Sequence, residues 1–323
     1  MLVRRLFVFL FCLLSLSSAA AQSADNIIVT GAWVRATVSD REMASEAGGV
    51  SGAYMTIANE SETPFALVAA STPAAGLVEI HETQMTNGVM RMNPIERLEL
   101  QPGESAVLEP GGFHIMLMDL ARGLAPGDAI SLTLTFEPLV ASAALRAAPL
   151  ELVIGLPVLD APPLPSDFIL TDVWARPTSS DIVGTSVEAR PTAEGGVVSP
   201  EHHAAATSHA AEQTISDVSA VYFQLTNLGE PDRLVSAATE VAGLVEIHET
   251  QMANGVMRMN PVDGLEVLTE ERLVLEPGGF HIMLMDLQRP LLTGDAFIIT
   301  LTFESGRTLE VAVPVYDRLL LPQ

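Results

Sequence analysis

Cysteine is nearly absent from this 323-residue chain, and lysine is missing altogether. The single Cys12 lies inside an apolar run from Leu6 to Leu16, which follows Arg4 and Arg5 and precedes Ser-Ser-Ala-Ala-Ala-Gln. That layout reads as a secretory signal peptide over residues 1–21, with cleavage after Ala21. The residues before Cys12 do not form the small-residue box of a lipid-modified cysteine. The mature chain is therefore expected to carry no thiol. This excludes disulfide staples, a catalytic cysteine and thiolate ligands together, and leaves a soft metal only methionine and histidine. A haem-attachment cysteine pair is missing too. There is no glycine-rich phosphate loop, nucleophile elbow or catalytic carboxylate pair, so no enzyme is expected. Beyond the leader, no segment approaches the roughly 20 apolar residues of a bilayer crossing, so stable membrane insertion after cleavage is not expected. Positive charge is scarce: 16 arginines face 40 acidic residues, a net charge of −24, which disfavours nucleic acid as a partner.

One unit is written twice. Gly76-Leu-Val-Glu-Ile-His-Glu-Thr-Gln-Met85 returns as Gly243 to Met252, and after one substitution the match runs on to Pro94 and Pro261. A second block, Leu108 to Leu120, returns as Leu275 to Leu287. His248, Met259 and His281 each stand 167 residues beyond His81, Met92 and His114. The spacer between the blocks has lost its identity but kept its length, as a geometric constraint would require.

Each unit opens on a tryptophan segment (Trp33, Trp174), continues through a tyrosine segment (Tyr54, Tyr222) and closes on alternating residues such as Ile130, Leu132, Leu134 and Phe136. Period-two alternation between Gly, Pro and Asn turns predicts an all-β chain of two tandem antiparallel β-barrel or sandwich domains. The expected division is residues 25–160 and 166–323, joined by the proline-rich linker 161–165. The second unit carries an insertion, residues 185–216, containing His202, His203 and His209.

Four of the 7 histidines, and all methionines except Met1, Met43 and Met55, lie in the repeated blocks. Residues two apart on a strand share a face, so His114 projects with Met116, and Met90 with Met92. Two imidazoles and two thioethers make a soft donor set that suits Cu(I) better than zinc, calcium or magnesium. Methionine at alternating positions can also be core filler, a reading that stays open for Met85, Met90 and Met118 and for Met252, Met257 and Met285.

A histidine, ten residues, a methionine, twenty-one residues and then His-x-Met is a spacing met by His81, Met92, His114 and Met116, and again by His248, Met259, His281 and Met283. In this the chain resembles the PCuAC family of periplasmic copper chaperones. The resemblance implies a cupredoxin-like β-barrel for each unit and one Cu(I) per domain on those eight residues. It also implies delivery to a copper-accepting protein such as the dinuclear copper subunit of cytochrome oxidase or another chaperone. The family usually has a single domain, and the tandem departs from that. The same residues leave open a periplasmic copper buffer or tolerance protein, with His202, His203 and His209 as an accessory site able to take Cu(II), and a copper-dependent oxidase as a third reading.

Overall fold

In a computed structural model of the chain, the described residues are 27–39, 44, 47–86, 89–139, 148–163, 166–178, 218–253 and 256–318. The leader and the whole insertion 185–216 with its three histidines lie outside them. Among the described residues no helix is long and apolar enough to cross a membrane.

Among the described residues the first unit has ten strands: β1 (Ile27–Arg35), β2 (Val50–Asn59), β3 (Phe65–Ser71), β4 (Ala75–Thr86), β5 (Val89–Pro94), β6 (Leu98–Leu100), β7 (Ser105–Leu108), β8 (Phe113–Leu120), β9 (Ala129–Pro138) and β10 (Leu150–Leu159). The second repeats them as β11 (Phe168–Ala175), β12 (Val218–Asn227), β13 (Asp232–Ala238), β14 (Ala242–Ala253), β15 (Val256–Pro261), β16 (Leu265–Val267), β17 (Arg272–Leu275), β18 (Phe280–Leu287), β19 (Ala296–Phe303) and β20 (Thr308–Pro314). In the first unit the order β5-β4-β8-β7-β2-β1 makes one layer and β10-β9-β3-β6 the other. The all-β, two-unit architecture is as expected.

The alternation explains the layers. Ile57, Leu67, Ile115, Leu117, Leu132, Leu134 and Phe136 are buried between them, and their sequence neighbours face outward. The second unit does the same with Phe223, Leu225, Ile282, Leu284, Ile299, Leu301 and Phe303. The pairing is not purely antiparallel. β1 runs parallel to β10 through Val34 and Val158, Leu108 pairs parallel with Phe113, and the second unit matches both. Alternation reports which face a side chain takes and is silent on strand direction, so these contacts are not written in it.

A bulge positions each tryptophan. The β1–β2 register shifts between Thr30 and Trp33, where Gly31 takes a φ of 60°; in β11 the same shift falls between Thr171 and Trp174, with Asp172 at 59°. Only glycine, and less readily Asp or Asn, enters this left-handed region at low cost. The bulge sets Trp33 opposite Tyr54 and Trp174 opposite Tyr222.

The two units pack mainly through their second layers, with the edge strands β1 and β11 of the first layers also in contact. Gly155 lies against the backbone of Ala312, where even a Cβ would overlap the Ala312 carbonyl. Ser131 Oγ donates to the Gly294 carbonyl at 2.6 Å. Gly155 pairs with Ser131, and Ala312 with Ile298, which stands 167 residues beyond Ser131. Gly155 and Ala312 are therefore equivalent positions of the two repeats, meeting each other as residues do across a two-fold axis.

Candidate metal centre

The neighbouring strands β4, β5 and β8 bring the repeated blocks together. Their ladders set His81 opposite His114 on one side and Pro94 on the other, Glu79 opposite Met116, and Thr83 opposite Met92. Directly paired residues project from one face, so Glu79, His81, Thr83, Met92, His114 and Met116 share the outer face of the first layer. Ile80, Ile115 and Leu117 turn into the core behind them. In the second unit His248 opposes His281, Glu246 opposes Met283, and Thr250 opposes Met259.

The imidazoles meet edge to face, with centroids 5.7 Å apart for His81 and His114 and 5.8 Å for His248 and His281. All four histidines are buried. A row of rings backs each pair: Trp33 packs on Tyr54 at 4.8 Å and Tyr54 on His114 at 6.4 Å, against 4.5 Å and 6.3 Å in the second unit. An arginine caps each tyrosine, Arg35 over Tyr54 and Arg176 over Tyr222.

Each imidazole has one nitrogen tied. His114 Nδ1 lies 3.1 Å from the Gly112 carbonyl, and His281 Nδ1 lies 3.2 Å from that of Gly279. A carbonyl only accepts, so Nδ1 carries the proton and Nε2 the lone pair. The first-block histidines are tied the other way. His81 Nε2 donates to Glu79 at 2.9 Å and His248 Nε2 to Glu246 at 2.8 Å. This leaves His81 Nδ1 and His248 Nδ1 buried without a partner, and Thr83 Oγ1 is similarly orphaned. An imidazole nitrogen with an unused lone pair, the other ring nitrogen held by a carboxylate, is how proteins present histidine to a metal. Burial holds His281 below the ordinary imidazole value; nearby His248 and Arg176 add to this against the Gly279 hydrogen bond, so its lone pair stays free.

The methionines grade outward. Met116 and Met283 are half-buried, whereas Met92 is 51% exposed and Met259 50%. Among the described residues no three His, Cys, Asp or Glu side chains gather into a metal-holding group.

A family model described as "Putative lipoprotein LpqE-like" matches residues 27–141 and 170–315, once over each unit. The chain belongs to the LpqE-like family. Among relatives of this LpqE-like chain, the putative lipoprotein Lxx21020 of Leifsonia xyli subsp. xyli is 38% identical over 104 residues, 32% of this chain and 63% of the relative. The uncharacterized protein RP573 of Rickettsia prowazekii is 32% identical over 106 residues, 32% of this chain and 56% of the relative. The chain thus spans less than two thirds of the length of either. Among solved structures, the copper-bound PCuAC domain from PmoF2 is 18% identical, with 47% of this chain and 94% of that domain covered at a TM-score of 0.30. The solution structure of CuI-DR1885 from Deinococcus radiodurans is 37% identical over 32% of this chain and 70% of that one, at a TM-score of 0.28.

All eight His and Met residues singled out by spacing in this LpqE-like chain therefore stand on two equivalent faces, four to a face. Sequence reasoning missed Glu79 and Glu246. The signal was available, because each carboxylate sits two residues before its histidine within the repeated block and so on the same face.

Proposed function

We propose that the chain is a periplasmic copper carrier that holds one Cu(I) in each unit, on His81, Met92, His114 and Met116 and on His248, Met259, His281 and Met283. The observation that carries this reading is the pair of opposed histidines, each with one nitrogen tied and the other free, beside two thioethers on the same face, in both units. Neutral imidazole and thioether ligands match Cu(I) in softness, and binding releases no proton from a thiol. Such a set also serves in an oxidising compartment, where a thiolate would be exposed to oxidation. Export follows from the leader. The word lipoprotein in the relatives' names fits a cell-envelope location, although Cys12 lacks the small-residue box that lipid attachment uses.

Graded burial suggests the order of release. The imidazoles are fixed by hydrogen bonds and packed rings, so they leave last. Met92 and Met259 are the outermost donors, and an incoming acceptor ligand displaces them first, keeping the ion coordinated throughout. The acceptor we propose is a copper protein such as the dinuclear copper subunit of cytochrome oxidase. The role is carriage and not catalysis.

Leucine at Met92 or Met116 keeps the apolar volume and deletes the sulfur. Each variant is expected to weaken Cu(I) binding by at least about tenfold, the scale of a lost ligand-sphere contact, in the first unit only, as read by competition with a chromogenic Cu(I) chelator. Unchanged affinity in both variants would overturn the assignment.

A further inference from the structure

Beyond the four residues proposed for each ion, the metal face continues along the β4–β5 hairpin. Met85 lies directly opposite Met90, and Met252 opposite Met257. Met85 and Met90 are 67% and 53% exposed, and Met252 and Met257 are 67% and 55%. That degree of exposure removes the reading of these four as core filler. A half-exposed strand pair gains nothing in packing from methionine and costs exposed apolar surface, yet the arrangement occurs in both units.

The ladder brings each pair close. Ile95 N donates to the Ile80 carbonyl at 2.8 Å, so Ile80 and its alternate neighbours along β4 make the hydrogen bonds to β5. Thr83 N turns the other way, to the Gly112 carbonyl at 3.1 Å, which leaves Thr83 and Met85 in the non-hydrogen-bonded pairs with Met92 and Met90. In such pairs the Cα atoms approach to about 4.5 Å and the side chains lie nearest each other. Val262 N to the Ile247 carbonyl and Thr250 N to the Gly279 carbonyl repeat the pattern. Met92 stands one ladder step from Met90 on the same face. A row of three thioethers thus leads from the outer end of the hairpin to the histidine pair.

We propose that Met85 and Met90, and likewise Met252 and Met257, form a second, thioether-only soft-metal site in each unit, which receives Cu(I) at the hairpin and passes it inward through Met92 or Met259. This rests on the reading of the histidine face as a Cu(I) site. The chemistry is ligand exchange alone: one sulfur donor replaces another on the same ion, without redox change or proton transfer. Thioethers without imidazole hold the ion more weakly than the inner set, so occupancy follows in sequence, inner site first at equilibrium and outer site on further addition.

The test uses the full chain with methionine methyls labelled in 13C, titrated with silver(I), a soft ion that does not change oxidation state. The first equivalent per unit is expected to shift the Met92, Met116, Met259 and Met283 methyls, and further silver the Met85, Met90, Met252 and Met257 methyls. M85L/M90L, changing only exposed side chains, is expected to lose the second phase in the first unit and keep the first. If the inner methyls respond while Met85 and Met90 stay fixed through excess silver, the hairpin site is overturned and the inner site stands. If no methyl responds, both fall.

Discussion

Each histidine of the proposed copper sites depends on the group tied to its other ring nitrogen. Glu79 fixes the His81 tautomer by accepting a hydrogen bond from Nε2–H, which leaves the lone pair on the buried Nδ1, and Glu246 does the same for His248. Replacing Glu79 with leucine frees the ring to turn or change tautomer. Cu(I) affinity of the first unit is expected to fall about 10- to 100-fold, the usual cost of losing such a partner. Nitrogen NMR would show the His81 proton moving off Nε2, and E79Q, whose side-chain oxygen can still accept, should restore much of the loss. An unchanged tautomer and affinity in the leucine variant would remove Glu79 from the account. At this scale the sequence was legible for the candidate residues that the strands bring to one face, because His and Met spacing recurs in both repeats. It was less so for Glu79, because a lone carboxylate at an alternate strand position reads as an ordinary solvent-facing charge until its hydrogen bond to the imidazole two residues on is seen.

The strands carry the repeat less evenly than the blocks do. Phe65 pairs with Leu100 in the first unit, and at the equivalent ladder position in the second Asp232 pairs with Val267. Asp232 is buried and accepts from Ser305 Oγ at 2.5 Å and Arg307 Nη2 at 2.8 Å, with Arg307 also lying over the Phe168 ring at 4.5 Å. Burial pushes this carboxyl up, but hydrogen bonds from Ser305, the Arg233 backbone and Arg307 outweigh it and bring it down to about 2. A carboxyl that titrates lower in the fold than in the unfolded chain contributes stability in full above the ordinary carboxylate value, and that stability is lost as the pH falls toward 2. D232N is therefore expected to cost the second unit about 1 to 2 kcal/mol at neutral pH. Thermal unfolding followed from pH 7 down to pH 2 should show the variant losing less on acidification than the parent; parallel pH profiles would contradict the assignment. The strands themselves were legible from alternation. The bulges at Gly31 and Asp172 and the parallel β1–β10 contact were not, since the bulge is formed by unlike residues in the two units and alternation is silent on strand direction.

At the scale of the whole molecule, the two repeats meet back to back. Gly155 and Ala312 are small enough for the second layers to touch, and Ser131 ties across to Gly294. The proposed copper faces are the outer surfaces of the first layers, so a layer spacing of about 10 Å separates each from the second-layer contacts, and two such sites would lie on the order of 20 Å apart or more. One ligand-exchange step cannot span that distance. On the proposed assignment each site is therefore expected to load and unload by itself, with metal moving between them only through solution or a second molecule. The constant 167-residue offset made the duplication legible, whereas the way the copies pack was not, because it rests on two small residues in strands whose sequences have diverged. The most direct test of the account is X-ray absorption at the copper edge on the full chain loaded anaerobically with two equivalents of Cu(I). The account predicts two nitrogen and two sulfur neighbours per copper and no copper–copper scattering. A first shell without sulfur, or a short copper–copper distance, would contradict it.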